Sequence, residues 1–317
     1  MNRNTHTDDS AKMCQRKTTF ITRQIVIDVI IWCLVCVPVL ALFIHGTPFK
    51  LGFRCDDTSI QYQYHPDSVS VPALLVVGIG VPLVTIVLTE LCRTLNKSNS
   101  GRRASNMWCA LKAFGFFLFG TMVAKVFTET LKFSAGRLRP HFIDICRPDF
   151  SKINCSLGYI TEYECTNTDV SDKLMRDSRL SFPSGHASFA FFSAVFVVLY
   201  LHHRMSVGFS HLLRPTLQAG VLLLAMWSGV TRVTDNKHFT SDVVGGAVLG
   251  SVLAWITFYK VTLPNLKSSS TDNRDLSTYA ANSELEPSTP SPLLRKEHSV
   301  NNIILIRDPI LKDKTMV

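Results

Sequence analysis

Charge is what this chain has least of. Only 18% of its 317 residues are Asp, Glu, Lys or Arg, where a soluble protein of this length carries about 25%. Mean hydropathy is positive, at +0.19. A large soluble domain is thereby excluded. Zinc-finger spacing and a basic recognition helix are both missing, so the formal charge of +9 does not point to nucleic acid. There is no Asp-rich or His-rich cage for a metal ion, and no cofactor is implied. The first apolar run lacks a convincing small-residue cleavage site, which argues against a removed signal peptide and for a retained anchor.

What is present is apolar and bunched. Residues 25–45, 71–91, 107–131, 186–200, 215–229 and 241–263 form six apolar stretches, most of them near the roughly 20 residues needed to cross ~30 Å of hydrocarbon. The expected fold is all-α, a six-transmembrane-helix bundle over residues 25–263. A polar N-terminal tail, residues 1–24, precedes it, and a Ser-, Thr- and Pro-rich tail, residues 264–317, follows and is expected to be disordered. The third stretch holds Lys112, Lys125 and Glu129. Lys125 and Glu129 stand four apart on one helical face and are read as a structural pair.

Basic residues gather in the first tail, in loop 93–106, in loop 202–214 and beyond Lys260. With six spans these fall on one side, which the positive-inside rule makes cytosolic. Both tails then face the cytosol, and the loops after spans one, three and five face the exterior or lumen. Those loops carry Cys55, Cys146, Cys155 and Cys165. An even number in an oxidising compartment is expected to pair, in any of three ways. The loop from Pro140 to Phe182 has few apolar residues for a core of its own, so cross-links are expected to order it. Asn154-Cys155-Ser156 is a glycosylation sequon on that side, and Asn96-Lys97-Ser98 is one on the cytosolic side.

Three polar clusters land on the same exterior face. The first is Lys132 to Pro140, read as just outside the third span. The second is Pro183-Ser184-Gly185-His186, opening the fourth. The third is Arg232, His238 and Asp242, between the fifth and sixth. A Ser-Gly pair opening an apolar helix presents free N–H groups and the positive end of the helix dipole, which suits an anion. Lys132, Arg139 and Arg232 add positive charge and forked donors for phosphate oxygens. Ser184 and the Gly185 N–H add further donors. His238 and Asp242, four apart, are expected to share a helical face, so that the carboxylate holds one ring nitrogen and leaves the other to attack phosphorus. His186 would protonate the leaving alkoxide. The chemistry that fits is phosphoryl transfer stabilised by side chains.

Lys-x6-Arg-Pro, Pro-Ser-Gly-His and Arg-x5-His-x3-Asp, in this order, resemble the lipid phosphate phosphatases (type 2 phosphatidate phosphatases), and most of all their insect Wunen-like members. The resemblance covers residues 25–263. It implies a PAP2/acid phosphatase-like core and metal-independent hydrolysis of phosphatidate, lysophosphatidate, ceramide 1-phosphate and sphingosine 1-phosphate on the non-cytosolic face. It assigns phosphate binding to Lys132, Arg139, Ser184, Gly185 and Arg232. His238 becomes the nucleophile forming a phospho-histidine, Asp242 its partner and His186 the general acid. A multi-pass plasma-membrane protein is expected, with internal membranes and homo-oligomerisation left open. Thr231 stands where the family usually has Ser, and Asn236 and Phe239 also depart from its pattern. A catalytically dead scaffold, a phosphatase for a soluble sugar phosphate, a vanadate haloperoxidase and a transporter are the rival readings. Lys314-Thr315-Met316-Val317 would suit a PDZ-domain partner, or is the plain end of a tail.

Overall fold

The computed structural model describes residues 4–95, 100–205 and 210–266. Three long helices come first: α1 (Asn4–His45), α2 (Val71–Leu95) and α3 (Ser100–Ala135). A long loop follows, with two short helices, α4 (Phe142–Cys146) and α5 (Asp172–Asp177). The bundle resumes with α6 (Gly185–Arg204), α7 (Leu213–Thr234) and α8 (Thr240–Ile256), and a π-helical turn at Thr257–Thr262 extends α8. Among the described residues, five segments are long and apolar enough to cross a membrane: Thr22–Leu42, Val71–Leu95, Asn106–Ala135, Gly185–Arg204 and Thr240–Leu266. At the expected fifth span lies α7, which has 22 residues but carries Arg214, Gln218 and Arg232 and is not among the five.

Helix α6 is the centre of the bundle, packed against α8 and α7 and also against α2 and α3. Between lipid-embedded helices, association depends on close packing more than on water exclusion, and glycine permits it here. A Cβ on Gly250 would lie 2.1 Å from the Ser188 carbonyl oxygen, and one on Gly246 would lie 2.4 Å from that of Ser184. Deeper in the bundle Phe117, Phe192, Phe196, Tyr200 and Phe258 are completely buried, and Phe117 meets Phe196 edge-on at 5.3 Å. Leu34, Val76, Leu88, Leu223 and Val248 point outward and are more than half exposed, as lipid-facing side chains are.

Two charge groups lie within the bundle. Lys125 bonds Glu129 along α3, the expected pair, and Glu129 also lies 3.7 Å from Lys132. Buried Glu90 accepts from Tyr200 Oη at 2.8 Å and from Arg204 Nε and Nη2 at 2.8 and 2.9 Å.

The loops are tied together. Strand β1 (Phe53–Arg54) pairs antiparallel with β2 (Tyr159–Ile160), setting Phe53 opposite Ile160. Cys55 bridges to Cys155 and Cys146 to Cys165, so of the three pairings open to the four cysteines this is the one formed. The long loop has a core, though not one of its own. Phe53, Ile60, Leu138, Phe142, Ile160 and Tyr163 form a buried cluster, to which each of the two loops contributes. Apolar residues sparse along the chain are gathered by the strand pair and the disulfides. Asn154 is exposed and opens a 3₁₀ turn, accepting from Ser156 N at 3.1 Å. Asn96, Lys97 and the tail beyond Leu266 lie outside the described residues.

Candidate active site

The site forms at the end of the bundle where α3 and α7 finish and α6 and α8 begin. Helix α3 runs further than its apolar stretch, to Ala135, and closes on Gly136, whose φ of +55° suits glycine. Lys132 therefore sits in the last turn of the helix rather than beyond it. Its Nζ reaches to 3.3 Å of where a Gly185 Cβ would stand, which places the ammonium against the start of α6. Arg232 likewise lies in the last turn of α7, not in the following loop.

Ser184 is the N-cap of α6. Its Oγ accepts from Ala187 N at 3.4 Å and its own N–H donates to the Asp242 carbonyl at 2.9 Å, joining the second cluster to the third. The hydroxyl hydrogen remains to be given to an anion. His186 is the second residue of α6, with Nε2 buried and unpartnered. Arg139 is anchored by its N–H to the Ser178 carbonyl, and its Nε too is buried without a partner. Arg232 is 1% exposed. Its Nη1 donates to Asp67 at 2.7 Å, its Nη2 to Asp235 at 2.9 Å and to the Val69 carbonyl at 3.3 Å, and its Nε is unpartnered. Buried donors without acceptors are costly. Two of them, on Arg139 and Arg232, belong to residues expected to hold phosphate and fit a site shaped for an anion.

The relation of His238 to Asp242 departs from expectation. His238 precedes α8, which begins at Thr240, so the two do not share a helical face. Asp242 turns back as a cap and accepts from Phe239 N at 3.0 Å. His238 Nδ1 lies 3.8 Å from Asp242 Oδ2, longer than a hydrogen bond. The carboxylate is held more tightly by others: Arg137 Nη1 at 2.6 Å on Oδ1 and Ser181 Oγ at 2.6 Å on Oδ2. Burial pushes the His238 imidazole well below its ordinary pKa, and Arg139 and Lys132 push the same way against Asp242. The ring is neutral at pH 7, the state a nucleophile needs. Burial lowers the Arg139 guanidinium as well.

A strap from the first loop lies across these groups. Tyr62 N donates to the Pro140 carbonyl at 3.0 Å and Tyr64 N to Asp144 at 2.9 Å. Ser68 holds Asp235 through its N–H at 2.8 Å and its Oγ at 2.6 Å. Lys237 stands 3.5 Å from the centre of the Tyr64 ring and 3.9 Å from Asp67, and burial lowers its pKa to about 8. Burial would raise the Asp67 carboxyl, but Arg232 and Lys237 outweigh it and hold it low. Arg137, Ser181, Asp67 and Lys237 are the residues that reading the sequence left unassigned. Arg137 stands inside the first cluster, and the other three carry no local signal. Among the described residues no group of three or more His, Cys, Asp or Glu could hold a metal ion.

The model of the PAP2 superfamily matches residues 113–265, the span that carries all three clusters. The rat protein named phospholipid phosphatase 1 (Rattus norvegicus) is 42% identical over 243 residues, covering 75% of this chain and 84% of its own. The chain belongs to the lipid phosphate phosphatases of the PAP2 superfamily. Rat phospholipid phosphatase 2 is 35% identical over 235 residues, 74% of this chain and 84% of its own. A Drosophila melanogaster relative is 35% identical over 250 residues, 73% of this chain and 66% of its own. No solved structure matches. The protein is thus a phosphatase, and the clustered cations and histidines are its candidate catalytic apparatus.

Proposed function

We propose that this phosphatase hydrolyses phosphatidate, lysophosphatidate, ceramide 1-phosphate and sphingosine 1-phosphate at the non-cytosolic face of the plasma membrane, through a phospho-histidine at His238. The observation that carries the reading is the meeting of half-buried Lys132 and Arg139 and buried Arg232 with His186 and His238 at one end of an apolar bundle. Lys132, Arg139, Arg232, Ser184 and the Gly185 N–H hold the phosphate. His238 attacks phosphorus through Nε2, the nitrogen turned away from Asp242, and the P–O ester bond breaks. The departing alkoxide takes a proton from His186. Water then attacks the phospho-histidine, gives its proton to His186, and leaves inorganic phosphate and free His238.

Two features support a lipid substrate and an exterior site. A cavity of about 200 Å³ between α2, α6 and α7 is lined by Leu74, Val77, Val81, Val221 and Ala225, and it begins at Ser68 and Val69, beside Arg232. A phosphate held by Arg232 would therefore lie beside an apolar pocket. The two disulfides stabilise loops on the same side as the site and suit an oxidising compartment. Six spans with α7 as the fifth, both tails cytosolic, glycan on Asn154, homo-oligomerisation and PDZ capture of the last four residues complete the reading.

The test is phosphate release by detergent-solubilised protein in excess EDTA, with phosphatidate and glucose 6-phosphate side by side. Hydrolysis of phosphatidate alone is expected. Preference for the sugar phosphate, or dependence on added metal, would overturn the reading.

A further inference from the structure

Asp242 is completely buried and has four neighbours, of which His238 is the farthest. Arg137 Nη1 lies 2.6 Å from Oδ1, Ser181 Oγ 2.6 Å from Oδ2, Phe239 N 3.0 Å from Oδ2, and His238 Nδ1 3.8 Å from Oδ2. A carboxylate left alone beside an imidazole in a dry site would make it hold a proton. A protonated ring cannot attack phosphorus. Something must therefore keep Asp242 close enough to orient His238 without letting it make the ring basic.

We propose that Arg137 is a positioning residue for this reaction: its guanidinium neutralises Asp242, so that His238 is oriented yet stays unprotonated and nucleophilic. The geometry is specific to that task. The same Nη1 donates to Ser241 Oγ at 2.9 Å, and the guanidinium carbon lies 4.5 Å over the Phe239 ring. Phe239 and Ser241 flank the start of α8, so Arg137 is fixed to the helix that carries Asp242. The aromatic ring, where the sequence departs from the family pattern, supplies a cation–π face. The Arg137 carbonyl also accepts from Ser181 N at 2.9 Å, and Ser181 is the other side chain on Asp242. One residue thus places both partners of the carboxylate.

The charged groups acting on His238 come from three elements: Lys132 from the last turn of α3, Arg139 from the segment after it, and Asp242 from α8; Arg137 acts through its bond to Asp242. Lys132 and Arg139 repel a proton on the ring, and Asp242 attracts one. Removing the charge of Arg137 takes away the one strong counterion of Asp242 and tips this balance toward protonation. The low pKa of His238 in the intact site agrees with that balance.

This proposal rests on His238 being the nucleophile, and the experiment separates the two. In the full-length solubilised enzyme, kcat/KM is measured with one lysophosphatidate across pH 2.5–8.5 for the wild type, Arg137→Gln, Arg137→Lys and His238→Ala. Each active profile is normalised to its own plateau. Arg137→Gln keeps a donor and loses the charge, so its acid limb should move to higher pH. A one-unit move reads as about tenfold lower relative kcat/KM at the acid end. Arg137→Lys should bring the limb most of the way back. An unmoved limb in Arg137→Gln, or a uniform loss at every pH that Lys fails to restore, would overturn the role assigned to Arg137. Undiminished turnover in His238→Ala would overturn the underlying mechanism instead.

Discussion

Asp67→Asn is expected to tighten the grip of the site on inorganic phosphate. Arg232 is shared by two carboxylates, Asp67 at 2.7 Å and Asp235 at 2.9 Å. An arriving phosphate must approach a guanidinium already neutralised, and must come near Asp67 itself. Two like unit charges about 6 Å apart repel by about 3 kcal/mol at an effective dielectric of about 20. The Asp67 side chain is 38% exposed, so solvent screening reduces this to about 1 kcal/mol. That corresponds to about fivefold in binding. Arg232 should keep its place in the variant, because Asp235 and the Val69 carbonyl still accept from Nη2. The assay is competitive inhibition by inorganic phosphate at pH 7, wild type against variant. An inhibition constant that is unchanged or higher in Asp67→Asn would mean that Asp67 chiefly orients Arg232, and the charge argument would fail.

Three further outcomes are expected. Burial lowers the His141 imidazole to about 4, below an ordinary value near 6.5, so between these values the unfolded chain takes up a proton that the folded site refuses. Its contribution is intact above about pH 6.5 and is lost as pH falls, costing about 2 kcal/mol from pH 7 to 5; thermal unfolding of His141→Gln should show a flatter pH dependence there, and an equal slope would refute this. Cys146→Ser opens a bridge spanning 19 residues and should cost about 3 kcal/mol, seen as earlier proteolysis of the loop, with unchanged protection the contrary result. Asn154→Gln should abolish a glycosidase-sensitive mobility shift that Asn96→Gln leaves in place; the reverse would put the site on the cytosolic side.

The motif residues were legible because each cluster opens or closes an apolar run, where polar groups have few other reasons to stand. Lys132, Ser184, Gly185, His186, Arg232, His238 and Asp242 all come to one end of the bundle. Their local settings were less legible. Lys132 lies within α3 because the helix stops at Gly136, where the backbone turns, and not at Leu131, where hydropathy fades. His238 and Asp242 have helical spacing, but Phe239 is the N-cap of α8 and the helix begins only at Thr240, after the histidine. Arg137 and Asp67 were invisible for another reason. Their partners lie 105 and 165 residues away, at Asp242 and Arg232, and no periodicity encodes a pairing across that distance. The loop core was missed similarly, since Phe53 and Ile160 become neighbours only through a two-residue strand pair.

The nucleophile assigned to His238 can be tested most directly by trapping the phospho-enzyme. The enzyme is quenched during turnover of ³²P-labelled lysophosphatidate, and the labelled protein is divided between acid and alkali before digestion and mass spectrometry. Label should appear on the peptide containing His238, be lost in acid and survive alkali, as a phosphorus–nitrogen bond does, and be absent from His238→Ala. Label that persists in His238→Ala, or that maps to another residue, would contradict the mechanism.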